Sequence, residues 1–85
     1  MKNDFNDLLE LGVFYILSQR FEEAVKVLKK AEKINKMDPT LYFNMGMAYE
    51  ALNEKDRARN AFRLVLKLNP DHPAAQEHLT KLVEE

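Results

Sequence analysis

Apolar residues recur along this chain at the spacing of a single helical face. Leu8, Leu11, Gly12 and Tyr15 fall at i, i+3, i+4 and i+7, the signature of an amphipathic helix. Tyr42, Met45, Gly46 and Tyr49 repeat that pattern further on, and Ala24–Leu28–Ala31 and Ala58–Phe62–Val65 mark helices between and after them. The punctuation agrees. Asp38 is a good N-cap, followed by Pro39 in the first turn, where a missing N–H matters least. Asn69-Pro70 ends a helix, because the residue before proline is pushed out of the α region. Asp71 or His72 caps the last helix, which Pro73 opens. Asn53 suits a left-handed turn. Together these predict helices at about 4–18, 21–35, 39–52, 55–68 and 73–84.

The two glycines, Gly12 and Gly46, lie 46 − 12 = 34 residues apart. The same ungapped shift brings Leu8 onto Tyr42, Leu11 onto Met45, Tyr15 onto Tyr49, Ala24 onto Ala58, Leu28 onto Phe62 and Ala31 onto Val65. A fixed period of this length is the mark of a stacked repeat. The motif Leu8-x-x-Leu11-Gly12-x-x-Tyr15 with Ala24-x-x-x-Leu28, then Tyr42-x-x-Met45-Gly46-x-x-Tyr49 with Ala58-x-x-x-Phe62 and Pro70, resembles the tetratricopeptide repeat family. The resemblance implies an all-α fold: an α-solenoid of two antiparallel helix hairpins, residues 5–38 and 39–72, with a fifth, solvating helix over 73–85, in one domain. Ala24 and Ala58 are expected to face the glycines and let each hairpin close. Two positions depart from the pattern. Ser18-Gln19-Arg20 has neither Gly nor Asn in the first hairpin turn, and Lys36 stands where proline is usual, which implies a looser junction.

Composition narrows the function. Charged residues are 32% and hydrophobic ones 46%, ordinary for a globular chain. A net charge of −1 gives no reason to expect a nucleic-acid or anionic-membrane partner. No cysteine is present, so disulfides and thiolate metal sites are excluded. The acidic start lacks a secretory signal pattern, and Val13 to Leu17 is far too short to cross a bilayer. A cytoplasmic location is the default reading.

Little in the sequence suggests catalysis. His72 and His78 are six residues apart, whereas a helical metal pair wants i, i+4, so a capping or surface role is expected for them. Ser18 has no evident base beside it. The carboxylates Glu22, Glu23, Glu84 and Glu85 are not placed in any pocket. No enzyme activity, metal or cofactor is expected. Lys26, Lys29, Lys30 and Lys33 form a basic stripe that reads as a solvated outer face.

The first helix carries the functional signal. Beyond its hairpin face it holds Leu9, Val13, Ile16 and Leu17, with Phe14 pointing another way. A helix apolar on nearly all sides is normally buried on nearly all sides. The family resemblance implies a concave groove lined by the first helix of each hairpin. The matching positions are Asn6, Leu9, Glu10, Val13, Thr40, Phe43, Asn44 and Met47, then Glu77, His78 and Lys81. With Ile16 and Leu17 these are the expected partner-binding residues. Such a groove suits an apolar or amphipathic segment of a partner protein. The carboxylate clamp of chaperone-binding members is not expected, since Asn44 alone matches it while Leu9, Val13, Ala74 and His78 replace its charged or amide groups. Burying Leu9, Val13, Ile16 and Leu17 is worth on the order of 6–12 kcal/mol, against an association cost of about 4–15 kcal/mol. A useful partner must therefore engage the third helix as well. The alternatives are self-association through the first helix, cover of this surface by residues 1–5 or by Tyr42 and Phe43, and derivation from a longer repeat protein. The initial Met and the acidic end favour a complete chain over the last of these.

Overall fold

The computed structural model describes residues 4–84. Five helices follow one another: α1 Phe5–Leu17, α2 Phe21–Ile34, α3 Pro39–Ala51, α4 Lys55–Leu68 and α5 Pro73–Glu84. No strand occurs among the described residues. α1 packs on α2 and α3 on α4 as hairpins; α2 then packs on α3, and α4 on α5. The result is a short helical solenoid, 43 × 25 × 17 Å.

Each helix start is accounted for. Oδ1 of Asp4 accepts the N–H of Asp7 at 2.8 Å, and Oδ1 of Asp38 accepts that of Thr40 at 2.8 Å. Such caps satisfy amides that the helix itself leaves orphaned. At α5, Nδ1 of His72 accepts the N–H of Ala75 at 3.1 Å. Of the two residues expected to cap this helix, His72 does so.

α2 and α4 have no side-chain cap, because each starts straight from a tight turn. Gln19 and Asn53 take the left-handed conformation there, with φ of 61° and 62°. Arg20 N–H reaches Tyr15 O and Gln19 N–H reaches Ile16 O; Glu54 and Asn53 repeat this on Tyr49 and Glu50. Both turns are thus the same Schellman closure. The first is made without Gly or Asn.

The repeat junction is closed by side chains in place of proline. Oδ1 of Asn35 accepts the N–H of Met37 at 2.9 Å, just ahead of the Asp38 cap. The looser junction expected from Lys36 is thereby corrected to a hydrogen-bonded one.

The core runs the length of the rod through Leu28, Ala31, Leu41, Tyr42, Met45, Tyr49, Phe62, Val65, Ala75 and Leu82. The glycines make room for side chains of the facing helices. A Cβ on Gly12 would lie 2.5 Å from Cδ2 of Leu28, and one on Gly46 would lie 2.7 Å from Cζ of Phe62. Ala24 and Ala58, expected to face the glycines, do not supply the atoms nearest to them. The nearest atoms belong to Leu28 and Phe62, one helical turn further on. Both alanines are fully buried.

Candidate protein-binding surface

Because the repeat is ungapped, equivalent residues of α1 and α3 occupy equivalent positions on the rod. Leu9, Val13 and Ile16 of α1 correspond to Phe43, Met47 and Glu50 of α3. They lie roughly 40–100° around each helix from its glycine, at 100° per residue, beside the hairpin contact. All six are half-buried. Leu9, Ile16, Phe43 and Met47 pack against the core by their inner edges. The sequence reading of this flank as bare is therefore corrected to a partly covered apolar row. Phe5 packs against the same core, whereas residues 1–3, also expected as cover, lie outside the described residues.

The polar members of the expected site are distributed unevenly. Asn6, Glu10 and Thr40 are exposed. Asn44 is half-buried and donates Nδ2–H to Thr40 O at 2.8 Å, which spends part of its amide within its own helix. Glu77 and Lys81 are exposed on α5. Leu17, 79% exposed, stands at the far end of α1.

Phe43 and the two histidines form one cluster. The Phe43 ring lies 5.2 Å from His72, 5.8 Å from His78 and 5.7 Å from Phe62, centroid to centroid. His78 stacks on Phe62 at 5.0 Å with planes 13° apart, and its Nδ1 is 2.9 Å from Oε1 of Glu50. His78 therefore joins α5 to α3 and α4. Its ring faces are largely taken, in contrast to the open groove contact the sequence reading expected. Aromatic contacts of this kind contribute about 0.5–1.5 kcal/mol each beyond area burial.

On the other flank of α3, Met45, Tyr49, Ala61 and Leu64 floor a shallow depression edged by Glu32 and Arg57. There Tyr42 donates its hydroxyl to Oε2 of Glu32 at 3.0 Å. Burial first, then this bond and the neighbouring negative charge, push the phenol up to about 12 from its usual 10.0. The proton stays on Tyr42 at neutral pH, so the group is a structural donor there rather than a base.

Lys26, Lys29, Lys30 and Lys33 are exposed, as the outer face of α2 should be. No three His, Asp or Glu side chains among the described residues come together as a metal site. No helix among them is long and apolar enough to cross a membrane.

The sequence pattern places Leu11 on the hairpin face, which the structure corrects, and leaves Phe14 pointing another way. Leu11, 40% exposed, and Phe14, 58% exposed, lie on neither the hairpin core nor the expected groove. The available signal was the repeat shift itself, which sets them over Met45 and Ala48.

Residues 12–53 match the family described as TPR repeat, and residues 39–72 match the one described as tetratricopeptide repeat. The chain is also similar to the anaphase-promoting complex subunit CDC16 of Saccharomyces cerevisiae, with 39% identity over 74 residues. That match covers 79% of this chain but 9% of the yeast protein.

Proposed function

Since this chain belongs to the tetratricopeptide repeat family, whose members are generally non-catalytic interaction scaffolds, we propose that it binds an apolar or amphipathic helical segment of a partner protein along the flank shared by α1, α3 and α5. The observation that supports this reading is the row Leu9, Val13, Ile16, Phe43 and Met47. Leu9, Ile16, Phe43 and Met47 are anchored on the core by their inner edges, and all five side chains are half-buried. Half-buried apolar side chains on rigid helices lose little conformational freedom on binding, so more of their burial is retained as affinity. The exposed Asn6, Glu10, Thr40, Glu77 and Lys81 would form the polar rim that orients the segment. The yeast relative is named as a subunit of a complex, in keeping with a module that holds proteins together.

Two apolar helices' worth of contact suits an amphipathic ligand read at i, i+3, i+4 and i+7. A synthetic helical peptide with leucines at that spacing tests the reading by amide chemical-shift mapping on the full chain. The expected result is that shifts centre on Leu9, Val13, Phe43 and Met47, and that Val13→Lys combined with Met47→Lys weakens binding by roughly tenfold or more. Shifts confined to the lysine face of α2, or binding indifferent to both lysines, would refute it.

A further inference from the structure

We propose that the outer face shared by α2 and α4 is a second docking surface, for an acidic segment of a partner protein that carries one bulky apolar side chain. Charge divides this chain by layer. α2 and α4 hold nine basic and four acidic residues, 9 − 4 = +5, whereas α1, α3 and α5 hold one and five, 1 − 5 = −4. Lys26, Lys29, Lys30 and Lys33 of α2 and Arg63 and Lys67 of α4 are exposed. None of these six forms an ion pair among the described residues. Complementing the helix dipole accounts for a base in the last turn, Lys33 and Lys67. It does not account for Lys26, Lys29, Lys30 or Arg63, which lie further back.

The depression floored by Met45, Tyr49, Ala61 and Leu64, between Glu32 of α2 and Arg57 of α4, supplies the apolar half of the site. Its free volume is about 190 Å³, short of the roughly 300–1,000 Å³ of a small-molecule pocket and suited to one side chain. Leu64, 37% exposed, is the part of its floor most open to solvent. Cations flank it on both helices. Lys29 stands one turn before Glu32 on α2, and Lys67 one turn after Leu64 on α4, the i, i+3 spacing of neighbours on one helix face. Arg57 is paired with Glu54, but both side chains are largely exposed, 64% and 40%, and such a pair exchanges partners at little cost. The one carboxylate at the edge, Glu32, has its Oε2 engaged by the Tyr42 hydroxyl. An apolar anchor seated here carries its neighbouring carboxylates onto bases on either side, the complementarity that steers a partner and fixes its register. A nucleic acid would match the charge and leave the depression unused.

Titration of the full chain with a short synthetic peptide of Asp and Glu around a single Phe, followed by amide chemical shifts, tests this. Shifts should centre on Lys29, Glu32, Tyr49 and Leu64. Replacing the Phe of the peptide by Ala should weaken binding by roughly tenfold or more, and so should Leu64→Glu in the protein. Lys29→Glu combined with Lys67→Glu, two exposed sites, should weaken it by a similar factor. Raising the salt from about 0.1 M to about 1 M shortens the Debye length from roughly 10 to 3 Å and should weaken it several-fold. Val13→Lys with Met47→Lys, which disables the flank proposed for the helical segment, should leave it unchanged, so the two surfaces fail independently. An Ala peptide that binds as tightly as the Phe peptide reduces the contact to diffuse charge and overturns the proposal. An oligothymidylate that binds more tightly and displaces the peptide also overturns it, assigning the face to nucleic acid. Shifts that centre on Leu9 and Phe43 overturn it as well, placing the peptide on the other flank.

Discussion

Tyr42 of α3 donates its hydroxyl to Oε2 of Glu32 on α2 at 3.0 Å, a hydrogen bond that crosses from one hairpin to the next. It ties the repeats together through a residue that must keep its proton to do so. The phenol is pushed up to about 12 from 10.0 in the folded chain. Its contribution is therefore fully present below pH 10 and is lost as pH rises from 10 toward 12. The amount at stake is on the order of 2 kcal/mol. Urea unfolding across this range should show a fall in stability that is smaller in Tyr42→Phe. At neutral pH, Tyr42→Phe should itself cost about 0.5–1.5 kcal/mol.

Gly12 and Gly46 differ in what presses on them. The atoms facing Gly12 belong to the branched end of Leu28, and those facing Gly46 to the rigid ring of Phe62. Alanine gains about 1 kcal/mol of helix propensity at either site, and overpacking costs about 1–3 kcal/mol. Gly46→Ala should be the more destabilising, because the Phe62 ring is also held by Phe43 and His78. Thermal unfolding ranks the two, at about 4–8 °C per kcal/mol for a chain of this size. An equal or reversed ranking would contradict the rigidity argument.

Gln19 adopts a φ of 61°, a region its residue type rarely visits, whereas Asn53 is a residue type suited to it. Gln19→Gly should stabilise the chain by roughly 0.5–1 kcal/mol, and Gln19→Val should destabilise it. Asn53→Gly should change the urea midpoint less than Gln19→Gly does.

Phe43 touches Phe62, His72 and His78, so it is a strut for α5 as well as part of the proposed binding flank. Phe43→Leu keeps bulk but loses the ring contacts. It should cost about 1–2 kcal/mol. The loss should be local: hydrogen exchange should accelerate in α5 before it does so in α1 and α2.

Element positions were legible in the sequence because helix starts and stops depend on single residues with strong preferences. Asp38-Pro39 and Asn69-Pro70 bracket α3 and α4 within a residue of the structure, and the 34-residue glycine spacing carries the architecture. Contacts between helices were less legible. Which side chain fills the space over a glycine depends on crossing angle and rotamer, so Leu28 and Phe62 were not distinguished from Ala24 and Ala58. Gln19 shows a related limit: the closing hydrogen bonds to Tyr15 and Ile16 hold a left-handed residue that local preference disfavours. On the proposed binding flank, sequence identified the apolar positions but not the extent of their cover. The histidines' convergence on Phe43 joins residues 43, 72 and 78, too far apart for periodicity to connect.

The 34-residue step also sets Gln76 and Thr80 of α5 where α3 has Tyr42 and Gly46. Thr80 has a side chain at the point where glycine makes room, and both residues are exposed. α5 thus lacks the snug apolar seat that α3 offers α4. A helix crossing α5 as α4 crosses α3 would meet the Thr80 side chain where Gly46 leaves room for the Phe62 ring.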